Sequence, residues 1–91
     1  MTGLRILTIG KMERKEIDGI IAHKIRGRVK NAVVSEEKNL REDFGLDSLD
    51  VMEIIIECEG AMGKQVPNGR IHNIYTVGDI YKLIESVDER R

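Results

Sequence analysis

Residues 43–63 read DFGLDSLDVMEIIIECEGAMG. A turn-rich opening gives way at Ser48 to a run free of glycine and proline until Gly60. Serine is a good helix N-cap, because its hydroxyl can accept a hydrogen bond from a free amide of the first turn. The expected helix therefore starts at Ser48, runs to about Glu59 and ends at Gly60 or Gly63, glycine being suited to the C-cap. Leu49, Met52, Ile55, Cys58 and Met62 form its expected inner stripe. Val51, Ile54 and Ile56 do not fit that stripe. A helix this apolar has either a broad buried face or an exposed patch meant for a partner.

Upstream of this helix, the stretch from Lys30 to Asp47 has no helical period and is punctuated by Asn31, Ser35, Asn39 and Gly45. Long connections in compact domains are often functional. Leu40 and Phe44 are the residues expected to pin this one to the core. Further upstream, Ile17, Ile20, Ile21, Ile25 and Val29 step by three or four, which predicts an amphipathic helix from Glu13 to about Val29. Residues 1–11 read as an extension, with Met12 opening the domain that runs through residues 12–91. Downstream, Pro67, Asn68 and Gly69 mark a turn, and one short helical turn is expected over Arg70 to Ile74. Thr76, followed by Asp79 three residues on, predicts a capping box for a last helix. Val77, Ile80, Tyr81, Leu83, Ile84 and Val87 supply that helix's apolar face.

The expected architecture is an all-α bundle of three main helices plus a short one, with no convincing strand and no repeat. Its expected core draws on Ile17, Ile20, Ile21, Ile25, Phe44, Leu49, Met52, Ile55, Ile80, Leu83 and Ile84. With 91 residues there is room for one small domain, and such a domain has a thin core with little space for an enclosed catalytic cavity. Aromatics are 3% of the chain, so aliphatic side chains fill the interior and stacking platforms for single-stranded nucleic acid are missing. A core without an aromatic wall is expected to be soft, with early amide exchange around residues 60–75.

The single cysteine, Cys58, cannot form an internal disulfide. Its apolar neighbours make it an inert core residue. A reducing, cytoplasmic setting fits that usage. The apolar stretch Leu4 to Ile9 is too short to span a membrane. His23 and His72 lack further ligands at metal spacing, so no metal site is expected. Ser48, His72 and Asp79 could suggest a hydrolase triad, but no nucleophile elbow accompanies them.

The net charge of −1 conceals a strong asymmetry. Residues 1–41 hold ten Lys or Arg against five Asp or Glu, whereas residues 42–63 hold seven acids and no base. Two solvated faces of opposite sign account for this pattern. It also suits the middle segment to a basic partner.

The segment Asp43-Phe44-Gly45-Leu46-Asp47-Ser48-Leu49-Asp50 resembles the attachment motif of acyl carrier proteins, whose core is Asp-Ser-Leu at the start of the second helix. The resemblance continues through Glu53 and Val66-Pro67 to Tyr75-Thr76-Val77 and covers about residues 12–88. The tripeptide alone is weak. Its place after a long loop and before an apolar helix, in a chain of this length, makes it specific.

The resemblance implies covalent 4'-phosphopantetheine on Ser48, drawn from coenzyme A by a phosphopantetheinyl transferase, with Asp47 and Leu49 completing the motif. A helix N-terminus suits the negative phosphodiester, because free N–H groups and the positive end of the dipole lie there. The chain would then be a carrier of thioester-linked acyl groups, not an enzyme. It would act as a monomer shuttling cargo between partner enzymes of fatty acid, lipid or secondary-metabolite (polyketide-like) synthesis.

The family's recognition surface is the second helix. Here Asp50, Glu53 and Glu57 would supply acid, and Val51, Ile54 and Ile56 apolar contact. Acyl-transferring, synthase or ligase enzymes with basic docking patches would be complementary. Family members in fatty acid synthesis are usually acidic throughout, whereas Lys24, Arg26, Arg28 and Lys30 make the first helix basic. The run Glu59-Gly60-Ala61-Met62-Gly63-Lys64 and the pair Gly69-Arg70 also depart from the family's acidic pattern, and the departures point to a specialised pathway. An aminoacyl or peptidyl carrier is the nearest alternative. A non-carrier helical module binding protein or DNA through Lys24 to Lys30 is a more remote one, and it lacks polar base-reading residues on a recognition helix.

Overall fold

The computed structural model describes residues 12–26 and 32–88. Its elements are α1 (Arg14–Ile25), α2 (Ser48–Met62), a 3₁₀ turn at Asn68–Arg70 and α3 (Val77–Asp88). This is the expected all-α bundle of three main helices and a short one. The extension 1–11 lies outside the described residues.

Helix α1 buries Ile17, Ile21 and Ile25, spaced four apart on one face, while Ile20 is half-buried beside them. Glu13 and Glu16 form its capping box, with the Glu13 amide donating to Glu16 Oε1 at 2.9 Å. The helix ends at Ile25, earlier than the expected Val29. Arg26 leaves the helical basin with ψ 128°, and residues 27–31 lie outside the described chain.

Helix α2 differs from expectation in its cap and in its register. Asp47, not Ser48, is the N-cap. Its Oδ1 accepts from the Asp50 amide at 2.9 Å, and Asp50 Oδ2 accepts from the Asp47 amide at 3.1 Å. A carboxylate caps as well as a hydroxyl does, and Asp50 three residues on completes a reciprocal box.

The buried residues of α2 are Ile54, Ile55, Cys58 and Met62. Leu49, expected inside, is 65% exposed. Met52, also expected inside, is half-buried. Ile54, expected outside as a docking residue, is fully buried at 0% exposure. The helix turns about 100° per residue, so Leu49 lies about 180° from Cys58 while Ile54 lies about 40° from it. Stepping by three from Leu49 drifts off the face that the helix's second half buries.

Gly63 ends α2 in the left-handed region at φ 72°, its amide donating to the Glu59 carbonyl at 2.9 Å. The short helical turn sits at Asn68–Arg70 and not at the expected 70–74. Pro67 fixes the entry backbone at φ −59°, and Asn73 at φ 61° is incompatible with a helix beyond it.

The segment 32–47 is tied to the start of α3. Leu40 N–H donates to the Tyr75 carbonyl at 2.8 Å, and Val77 N–H to that of Lys38 at 3.0 Å. Asn39 and Thr76 form an isolated antiparallel bridge. Gly78 N–H reaches the Glu36 carbonyl at 2.9 Å. This close approach needs glycine, since a Cβ there would stand 2.8 Å from Glu36 Cγ and 3.2 Å from its carbonyl oxygen. Leu40, Phe44 and Leu46 are each 2% exposed, so the loop contributes to the core as expected of Leu40 and Phe44.

Helix α3 carries the expected capping box, with Asp79 N–H donating to Thr76 Oγ1 at 3.1 Å and Thr76 N–H to Asp79 Oδ2 at 3.0 Å. Its apolar face is buried as expected. The α1–α3 seam is polar at its rim. Tyr81 donates its hydroxyl proton to Asp18. Arg14 lies over the Tyr81 ring, 4.7 Å from its centroid, and pairs with Glu85 at 2.7 Å.

Candidate functional site

Ser48 is the first residue of α2 and is exposed. Because Asp47 caps the helix, the Ser48 hydroxyl is not used as a cap. It makes no hydrogen bond with another described residue. The first helical bond is Val51 N–H to the Asp47 carbonyl at 3.1 Å, and Asp50 N–H is taken by the Asp47 side chain. The amides of Ser48 and Leu49 have no acceptor among the described residues. Among the described residues, the mouth of the helix thus presents a hydroxyl without a partner beside N–H donors without acceptors. This combination suits an anionic group.

The turn that delivers Ser48 is held by short-range bonds. Asn39 Oδ1 accepts from the amides of Arg41 and Glu42 at 2.9 and 2.8 Å, and Asp43 Oδ2 accepts from the Asn39 amide at 2.7 Å. Gly45 then takes a left-handed backbone, φ 71°, and Leu46 N–H returns to the Leu40 carbonyl at 3.0 Å. The Asp-Phe-Gly stretch is therefore a compact turn that buries Phe44 and aims the chain into α2.

Ser48 also lines an open cleft of about 540 Å³. The apolar part of its wall comes from Leu40, Leu46, Val51, Met52, Ile71 and Ile74. Its polar part includes Asn39, Arg41, His72, Asn73 and Tyr75. The volume lies in the range of small-ligand sites. The far wall, residues 71–75, is fixed where Tyr75 meets Leu40, and Tyr75 Oη donates to Asn73 Oδ1 at 3.3 Å. Sequence reasoning missed this wall. Its signal was Asn73, a residue type that tolerates the left-handed backbone.

The residues expected to meet partners divide into three groups. Ile56 is 56% exposed and shares a face with exposed Leu49, seven positions apart. Asp50, Glu53 and Glu57 lie on the adjoining stripe, with Glu57 exposed and the other two half-buried. Val51 is half-buried against the core and the cleft, and Ile54 is buried. Glu53 is engaged by Lys24 of α1, a contact the sequence did not suggest.

Cys58 is buried, and that burial pushes its thiol up to about 12, with the charges of Glu57 and Glu59 adding to the shift. The thiolate, the reactive form, is therefore scarce near neutrality. Among the described residues no group of His, Cys, Asp and Glu could hold a metal ion. No described helix is long and apolar enough to cross a membrane.

The family described as the phosphopantetheine attachment site matches residues 21–84. Among solved structures, a candidate acyl carrier protein of Mycobacterium tuberculosis is similar at TM-score 0.70 and 26% identity, over 80% of this chain and 95% of that one. The matched span includes Ser48, the turn before it and the whole cleft wall.

Proposed function

The chain belongs to the phosphopantetheine-attachment family of acyl carrier proteins, and on that premise we propose that Ser48 is the residue that bears the arm. The family's group is covalent 4'-phosphopantetheine, and its terminal thiol supplies the thioester linkage to an acyl cargo. The residues around Ser48 fit such a group. Ser48 Oγ, which has no hydrogen bond to another described residue, would give its proton to the transferase and attack the pantetheine-bearing phosphorus of coenzyme A, so that the pyrophosphate P–O bond breaks, the phosphodiester forms and adenosine 3',5'-bisphosphate leaves. The amides of Ser48 and Leu49, which have no acceptor among the described residues, would stabilise the phosphate's negative charge. Asp47 holds the helix mouth open to solvent by taking the capping duty on itself. The cleft wall of Val51, Met52, Ile71 and Ile74 offers apolar shelter, while Asn73 and Tyr75 offer hydrogen bonds at its rim.

The observation that carries this reading is the exposed Ser48 hydroxyl left without a capping role. The test is intact mass after treatment with coenzyme A, magnesium and a phosphopantetheinyl transferase. The wild type is expected to gain the mass of one phosphopantetheine and Ser48→Ala to gain none. An unchanged wild-type mass with several transferases, or a gain that persists in Ser48→Ala, refutes the assignment.

The carrier meets partner enzymes through α2, with Leu49 and Ile56 as the apolar contacts and Asp50, Glu53 and Glu57 as the acidic ones. Ile54 is excluded from this surface by its burial. The cargo belongs to a specialised lipid or secondary-metabolite pathway more than to bulk fatty acid synthesis. What supports this is the basic character of residues 1–41, ten cations against five acids. Mass spectrometry of the arm on protein taken from its native cell would identify the cargo. A plain long-chain acyl pool there would return the chain to fatty acid synthesis, and an amino acid would make it an aminoacyl carrier.

A further inference from the structure

The last turn of α1 brings Lys24 against α2. Its ammonium pairs with the Glu53 carboxylate, and the charges of Asp50 and Glu57 also act on it. Positions 50, 53 and 57 are three and four residues apart, so the three carboxylates form one stripe on α2. Lys24 lies against the middle of that stripe. The side chains are 23% exposed at Lys24 and 44% at Glu53, so the pair is partly desolvated yet open to an approaching protein.

This stripe is the one that an enzyme with a basic docking patch would read. In this chain its central carboxylate already has a cation, supplied by the neighbouring helix. Lys24 holds Glu53 Oε1, so a partner's Arg or Lys that engages this carboxylate either displaces the ammonium toward another acid or water, or takes the second oxygen with a like charge beside it. Discrimination between partners is a difference of affinities, and an element that penalises the wrong partner contributes as much as one that attracts the right one.

We propose that Lys24 is a specificity-determining residue, an intramolecular competitor for the Glu53 carboxylate that selects partner enzymes whose docking patch pairs a basic residue with an acidic one. The basic residue takes Glu53 and the acidic one receives Lys24. An enzyme with a uniformly basic patch is penalised, since it gains the carboxylate but meets the released ammonium as a like charge. The inference rests on the carrier reading and adds to it the charge pattern of the partner.

The test uses a phosphopantetheinyl transferase with a uniformly basic docking face and the full chain as substrate, followed by the rate of arm attachment. Removing the cation in Lys24→Gln is expected to lower KM by about two- to fivefold at low salt, the range of exposed ion pairs, with kcat unchanged. Lys24→Met keeps the aliphatic stem and is expected to do the same, which guards against a packing defect in one variant. Lys24→Arg keeps the charge and is expected to match the wild type. The advantage of the neutral variants should disappear in about 1 M salt, where the screening length is about 3 Å. A KM in both neutral variants equal to or above that of the wild type overturns the proposal. Failure of the wild type itself to gain an arm overturns the carrier reading first, and this inference with it.

Discussion

At the level of single residues, the register of α2 decides which side chains hold the fold and which face solvent. Ile54 and Leu49 have similar composition and sit five positions apart, yet one is fully buried and the other 65% exposed. Deleting buried methyl groups costs transfer energy plus a cavity term. Ile54→Ala is therefore expected to lose about 2–5 kcal/mol of stability. Leu49→Ala should stay within about 0.5 kcal/mol of wild type, as surface changes do. Urea titrations of the two variants decide the matter, and the reverse ranking would restore the stripe drawn from Leu49. The same burial separates the protein's hydroxyl chemistry from its thiol chemistry. Ser48 is exposed, whereas Cys58 is held as a buried thiol raised to about 12. Both residues were legible by type from the sequence. The side of the helix each occupies was not, because a spacing of three drifts away from a 3.6-residue turn and only packing fixes the phase.

At the level of elements, the ends of the helices were more legible than their faces. Thr76 and Asp79 form the expected box because that pair is a local, through-backbone arrangement. Ser48 yielded the cap to Asp47 because two good capping residues stand side by side and the reciprocal partner, Asp50, is in register with only one of them. The box at α3 has a measurable consequence. Burial alone would raise the Asp79 carboxyl, but the amides of Tyr75 and Thr76 and the Thr76 side chain outweigh it and hold the group below its ordinary value. A carboxylate depressed in the fold contributes stability that is present above its unfolded value and lost as pH falls through the folded one. Stability should therefore decline below about pH 4 as this carboxylate protonates. Asp79→Asn keeps an acceptor oxygen but removes the charge from the helix N-terminus, so it should lose about 0.3–1 kcal/mol at neutrality, and its acid limb should be shallower than that of the wild type. Parallel limbs in thermal melts from pH 6 to pH 3 would show that Asp79 is not what makes the fold acid-sensitive.

For the molecule as a whole, the bonding is uneven, and the uneven part borders the candidate site. The α1–α3 seam is closed by the Tyr81–Asp18 bond and by Arg14 spanning Tyr81 and Glu85. The core inside it consists of fully buried residues such as Ile17, Ile21, Ile55, Ile80 and Ile84. The connection from α2 to α3 is held more lightly. Val66 N–H relies on the Glu59 side chain at 2.8 Å, and the 3₁₀ turn contributes the bonds of Arg70 and Ile71 at 2.9 and 3.1 Å. Arg70 adds one side-chain bond to Ser86 at 2.6 Å. Local opening follows the regions with few buried contacts and exposed backbone bonds. The softness expected of residues 60–75 thus narrows to about 64–74, since 60–62 belong to α2 and Gly63 caps it. This segment includes much of the cleft wall opposite α2. Its opening would enlarge the space beside Ser48 without disturbing the helices that present it. Native-state amide exchange is expected to separate the two regions, with amides of Ile21, Ile55 and Ile84 exchanging only through global unfolding and those of 64–74 through a lower-energy event that is insensitive to mild urea. Loading the arm with an acyl group should slow exchange in 64–74 and leave the helical amides unchanged, because cargo resting in the cleft would bind its closed wall. Equal protection in both regions, or slowing confined to α1, would mean that the cleft is not where cargo rests and that the loose connection is incidental to carriage.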